Sequence, residues 1–168
     1  MKPDRHGSGV VEFPSELEIL ITRRFDAPIA LVFEVLTEPE HVRRWGATPP
    51  DRMTECSIDL RVGGSYRSSF VTGDGTVFTF SGTYLEVEAP RRTVQTWLFE
   101  GDPVGGTVIE AVESMELSEA DGVTTLRWGL AFRDRAGRDR MTNFDGQQDS
   151  LDEMEEILGS LGALTDPT

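Results

Sequence analysis

The sequence predicts an α+β domain in which a curved, seven-stranded antiparallel sheet wraps around one long C-terminal helix. Three observations predict it. Residues 54–133 read as six consecutive strands joined by short turns, which only a strongly twisted antiparallel meander accommodates. One further strand and two short helices precede this meander. A single amphipathic helix follows it, and the apolar stripe of that helix needs a sheet to cover it.

Residues 1–14 carry Gly, Ser, Pro and scattered charge without periodicity, so they read as a loose tail. A strand over 16–25 follows, with Leu17, Ile19, Ile21 and Phe25 on one side at period two. Arg23 lies within it: turned inward it would pair with a carboxylate, turned outward it decorates the sheet. Asp26-Ala27-Pro28 starts a helix over 28–37, with Asp26 or Ala27 near the N-cap and proline in the first turn. Ile29, Val32, Phe33 and Leu36 have helical spacing there. A second short helix runs from Glu38-Pro39-Glu40 to Arg44-Trp45 and stops at Gly46, and Thr48–Asp51 is a loop.

The meander strands are expected at 54–60, 65–71, 76–87, 92–99, 107–117 and 123–132. Their turns fall at Gly63-Gly64, Thr72–Gly75, Ala89-Pro90, the glycine-rich stretch of Gly101, Gly105 and Gly106, and Ala120–Gly122. Neither double glycine precedes a helix or is followed by lysine, so neither is a phosphate loop. The last helix is expected over 143–161, with Phe144, Gln147, Leu151, Met154, Leu158 and Leu161 along one stripe. Asp149, Asp152, Glu153 and Glu156 occupy the other side. Residues 15–162 thus form one domain, and 163–168 a C-terminal tail.

Composition narrows the function classes. The 168 residues suit one domain, large enough to bury about 70% of its unfolded surface. A net charge of −14 opposes any partner bound through phosphates, which argues against nucleic acid and anionic membrane surfaces. Residues 144–168 hold seven acidic and no basic residues, so the acidity marks the solvent face of the final helix. Cys56 is the single cysteine, which excludes an intramolecular disulfide and a cysteine-only metal site. Met1–Gly7 lacks the apolar core of a signal peptide, and no apolar run approaches the ~20 residues that span a bilayer. A cytoplasmic protein without membrane insertion is expected.

The candidate site is aromatic. Tyr66 and Phe70 share one face of a strand, as do Phe78, Phe80 and Tyr84 of the next. Trp97 pairs in phase with Phe99, and Trp128 with Leu126, Leu130 and Phe132; Met115 and Leu117 join them if their phase is inward. Core packing is the plain reading of these residues. The functional reading adds that a curved sheet and one helix leave their interior partly unfilled. Glu113 shares the parity of Met115, and Gln147 and Leu151 lie on the apolar stripe of the last helix. A carboxylate in an apolar pocket has a raised pKa and can act as acid or base. A bulge or shifted phase would instead send Glu113 to solvent.

His6 in the tail and His41 at the start of a surface helix are not placed as general bases. Two histidines and one distant cysteine lack metal-ligand spacing. The expectation is a pocket with no metal, no cofactor and no catalytic constellation.

Several segments carry a family pattern. Ile21–Pro28, Val32-Phe33, Thr37–His41 and Trp45 are followed by Asp59–Arg67, then Phe80–Tyr84, Glu86-Val87, Ala89–Arg91 and Thr96-Trp97. Together they resemble the AHSA-type family, named after the activator of a heat-shock chaperone ATPase, within the START-like or SRPBCC superfamily. The resemblance spans about 17–161 and implies the helix-grip fold, START-like and Bet v 1-like. Many relatives have Gly-Trp where Phe144–Gln148 stands, and a doubled tryptophan where Trp45-Gly46 stands. The superfamily implies a small hydrophobic ligand in a cavity between sheet and final helix, with Trp45 near its mouth. The alternatives it implies are a polyketide-cyclase-like or hydrolase-like enzyme using Glu113 or Tyr84 for proton transfer, and a chaperone ATPase regulator. A monomer or homodimer is expected.

Overall fold

The protein is represented by a computed structural model, which describes residues 5–101, 108–142 and 144–165. Of the expected features, residues 1–4, most of the glycine-rich turn, Thr107, the helix start at Asn143 and residues 166–168 lie outside the described residues.

The strands are β1 (Val10–Glu12), β2 (Glu18–Phe25), β3 (Arg52–Ile58), β4 (Ser65–Val71), β5 (Val77–Glu88), β6 (Arg92–Gly101), β7 (Ile109–Ala120) and β8 (Val123–Phe132). The helices are α1 (Ile29–Thr37), α2 (Pro39–Trp45), α3 (Arg135–Asp139) and α4 (Asp145–Thr165). All eight strands form one sheet in the order β1-β2-β8-β7-β6-β5-β4-β3, and every pairing is antiparallel. This is the expected sheet with one strand more.

The extra strand lies in the segment read as a tail. β1 pairs with β2 through Val10↔Thr22 and Glu12↔Leu20. Gln148 of α4 closes both backbone groups of Gly9, accepting from its N–H at 3.1 Å and donating to its C=O at 2.8 Å. Gly7 N–H donates to Asp152 at 2.9 Å, and Arg5 pairs with Asp26 at 3.1 Å. The segment is ordered by partners far along the chain, so its own periodicity carries no signal. At the other end, α4 continues to Thr165, into the expected tail.

β2 alternates cleanly: Ile19, Ile21, Arg23 and Phe25 are buried on one face. Leu17 precedes the strand and is exposed, unlike its expected partners. α1 starts one residue later than expected, because Pro28 is its extended N-cap and supplies no side-chain bond. The Glu119 carboxylate at the end of β7 accepts from Ile29 N–H at 2.7 Å instead, which satisfies a helix-terminal donor from outside the helix. α2 follows the expected pattern, with Pro39 at its first position and Gly46 closing it on Val42. α3, not anticipated, is capped by Asp134, which accepts from Gly137 N–H.

From Leu151 to Leu158 α4 packs into the core. Leu151, Met154 and Ile157 are fully buried together with Phe25, Val32, Val35 and Leu126. Its acidic side is not simply a solvent face. Arg23, buried on β2, places its guanidinium 3.0 Å from Asp152 and 3.3 Å from Glu155, and Arg44 of α2 reaches Glu153 at 2.8 Å. Asp149 and Glu156 remain exposed. His41 is likewise buried rather than at the surface, with its ring nitrogen 3.6 Å from Glu40 and 3.8 Å from Glu34.

Candidate functional site

The concave face of a twisted sheet is wider than one helix, and here the first turns of α4, through Ser150, stand off from it. The space between holds a pocket of about 310 Å³. Its floor is the middle of β5–β8, its far wall β3 and β4, and its near side α2 with the loop after it.

The wall begins as a packed aromatic row. Phe70 and Phe78 stack at 4.8 Å across β4 and β5, Phe80 and Phe99 stack at 4.7 Å across β5 and β6, and Phe80 meets Trp97 at 5.2 Å. These contacts are cross-strand neighbours on one face, the unit that stabilises a sheet. Trp45 closes the α2 side and is held by its indole N–H donating to Val35 C=O at 2.8 Å.

Tyr66 sits opposite Gly82 on β5. Its ring passes over that glycine, and its hydroxyl donates to Thr96 C=O on β6 at 2.8 Å. A Cβ at Gly82 would stand 1.8 Å from the Thr96 oxygen and 2.8 Å from the Tyr66 ring, so only glycine permits this crossing. Tyr84 lies beside Tyr66 at 5.6 Å between ring centroids.

At the centre stands Glu113. The ladder sets Tyr84 opposite Gln95, Gln95 opposite Glu113 and Glu113 opposite Leu130, while Met115 faces Trp128. Glu113 is buried, 7% exposed, so the inward phase holds and solvent is not its environment. Gln95 donates its amide N–H to one carboxylate oxygen at 2.8 Å, and Trp128 its indole N–H to the other at 2.8 Å. Burial pushes the Glu113 carboxyl above the usual range, against the pull of these two donors. Burial also raises the Tyr66 and Tyr84 hydroxyls, with the nearby Glu113 charge adding to it.

Of the residues singled out in sequence, Trp45, Tyr66, Phe70, Phe78, Phe80 and Tyr84 line the pocket, as do Trp97, Glu113, Met115, Trp128 and Gln147. Leu151 does not. It lies one turn beyond Gln147, where α4 has already met the sheet, and it is wholly core. Gln95 was missed. Its signal is the alternation Thr93-Gln95-Trp97-Phe99, which puts a polar residue in an inward phase. Among the described residues, no group of three or more His, Cys, Asp or Glu could hold a metal ion, and no helix is long and apolar enough to cross a membrane.

Residues 26–159 match the family described as Activator of Hsp90 ATPase homolog 1-like protein. The chain belongs to this family. Solved structures agree on the fold. A protein of Rhodobacter sphaeroides superposes with a TM-score of 0.80 at 20% identity, over 91% of this chain and 99% of that one. A Nitrosomonas europaea protein gives 0.76 at 24% identity, over 90% and 99%, and one from Mycobacterium smegmatis 0.77 at 17%, over 89% and 95%. No curated protein matches the chain. Membership of the AHSA1 family therefore establishes the helix-grip scaffold, and the chemistry has to be argued from the pocket itself.

Proposed function

We propose that this AHSA1-family protein binds a small, mostly apolar molecule in the pocket between the sheet and α4. The supporting observation is the unfilled, aromatic-walled space of about 310 Å³ between the sheet and α4, within the usual size of small-molecule sites. Burial of apolar ligand surface would drive binding, at about 25 cal/mol per Å² before entropy costs. Glu113, Gln147 and Tyr84 would set orientation, and the ligand would pass near Trp45 and the loop that follows α2. A cytoplasmic setting belongs to the same proposal.

Native mass spectrometry of freshly purified protein, with titration of the neutral dye Nile red, tests this reading. A retained small molecule or saturable dye binding, weakened in Met115→Trp with the fold intact, supports it. No retained mass, no dye binding and no thermal shift would overturn it.

A second reading has one observation in its favour. A carboxyl with a raised pKa in an apolar pocket is suited to proton transfer, so a cyclase-like or hydrolase-like activity would rest on Glu113. Tyr84, whose hydroxyl is held more tightly still, is the poorer candidate. Turnover of a hydrophobic nitrophenyl ester that disappears in Glu113→Gln, with Nile red binding kept, would favour it. The chaperone role in the family's description is supported only by that description, and co-purification with a chaperone ATPase would be its test.

A further inference from the structure

We infer that the ligand of this pocket is a cation: a small apolar amine whose ammonium group sits between the Glu113 carboxylate and the rings of Tyr66, Tyr84 and Trp128. The inference rests on the binding reading above and adds the charge of what is bound.

The first ground is the charge balance of the lining. Among the described residues that line the pocket, Glu113 and Asp51 are acidic, and none is Arg, Lys or His. The other ionisable groups there are the hydroxyls of Tyr66 and Tyr84. A buried carboxylate facing no cation is costly, and a bound cation removes that cost. An anionic ligand would meet only repulsion.

The second ground is how Glu113 is held. Gln95 and Trp128 each aim an N–H at a different carboxylate oxygen, both at 2.8 Å. Both donors are neutral, so in the ionised form the carboxylate carries a charge that no described residue of the lining balances. A carboxylate has about four acceptor positions, and these two donors leave others open toward the pocket. Burial favours the protonated carboxyl in the empty pocket, and a bound ammonium would draw it into the ionised form, whose remaining acceptors match its donors.

The third ground is the company Glu113 keeps. Trp128 touches it directly, and Tyr84 lies two strands away across Gln95, with Tyr66 beside it at 5.6 Å, both close enough to feel its charge. Faces of Tyr and Trp attract cations within about 6 Å of the ring centroid, and clusters of such rings are how quaternary and methylated ammonium groups are recognised. Carboxylate and rings act on the same charge, while the Phe70, Phe78 and Phe80 wall accepts the apolar remainder.

The experiment compares three probes of equal length, octylamine, octanol and octanoate, by displacement of Nile red and by calorimetry on the intact chain. Octylamine is expected to bind about tenfold or more tightly than octanol, as a charge-assisted contact requires, and octanoate more weakly than octanol. In Glu113→Gln the ratio of amine to alcohol affinity is expected to fall to about one, whatever the absolute affinities become. An arm without mutation stands beside it: lowering the pH protonates Glu113 and is expected to weaken octylamine alone. Equal binding of amine and alcohol, tighter binding of octanoate, or an amine preference that survives both Glu113→Gln and low pH overturns the inference. The two failures separate cleanly. Octanol binding without amine preference overturns only the charge assignment, whereas absence of binding by all three overturns the pocket reading and this inference with it.

Discussion

The ion pair that pins α4 to the sheet makes a prediction opposite to intuition. Arg23 carries a wholly buried guanidinium, 3.0 Å from Asp152 and 3.3 Å from Glu155, with its carbon 5.2 Å from the centroid of the Phe25 ring. Its Nε has no hydrogen-bond partner, and its contact with Glu155 is an ion pair without good hydrogen-bond alignment. The carboxylates differ from it in kind: their side chains keep 23% and 21% of their surface exposed. Removing both in Asp152→Ala/Glu155→Ala strands a buried cation and also deletes the 2.9 Å bond from Gly7, so the loss should be about 3–5 kcal/mol. Arg23→Met removes the buried charge and fills its space, while the two carboxylates rehydrate where they stand. Exchange of a buried ion for an apolar side chain of similar volume is often neutral, and the lost cation–π contact sets the loss at no more than about 2 kcal/mol. Urea unfolding followed by tryptophan fluorescence, with unchanged m, measures both. If Arg23→Met is as destabilising as the double variant, the premise that the buried partner dominates the cost is wrong.

Other outcomes follow from the site and core. Glu113 has a folded pKa above its unfolded value, so the native state binds the extra proton between the two. Its stabilising share is complete below the unfolded value and is lost as pH rises through the folded one, so the urea midpoint of the wild type should fall relative to that of Glu113→Gln across that window. Gly82→Ala puts a Cβ 1.8 Å from the Thr96 oxygen, so the β5–β6 pairing or Tyr66 must shift, costing about 1–3 kcal/mol in denaturation and weakening Nile red binding. Leu151→Ala, at a fully buried position, should cost about 2–5 kcal/mol in the same assay while dye affinity stays near wild type, because the side chain is core and not wall.

Much of the site was legible from parity alone. Period two in a strand is a property of the backbone, so once Trp97 and Trp128 are inward, Phe99 and Leu130 must be as well, and Glu113 travels with Met115. The same rule contained Gln95, whose inward phase follows from Trp97 and Phe99 on its strand. The stripe of α4 was legible too, but not where along it core gives way to pocket. Gln147 and Leu151 share that stripe, and only the curvature of the sheet separates a wall residue from a packed one. The acidic side of α4 misled for a related reason. Local pairing offered no basic partner, yet Arg23 lies 129 residues away in sequence and Arg44 lies 109 away from the carboxylates they meet.

The sequence by itself determined the antiparallel meander, the two short helices, the amphipathic last helix and the family they share, because these follow from short-range periodicity and turn chemistry. The tertiary structure alone decided that Val10–Glu12 joins the sheet, that Arg23 faces inward onto α4, and that Glu113 is met by Gln95 and Trp128. It also decided that space remains beneath the first turns of α4. Such features depend on which distant groups a twisted sheet brings together and how far one helix can follow its curve, and no window along the chain contains that distance.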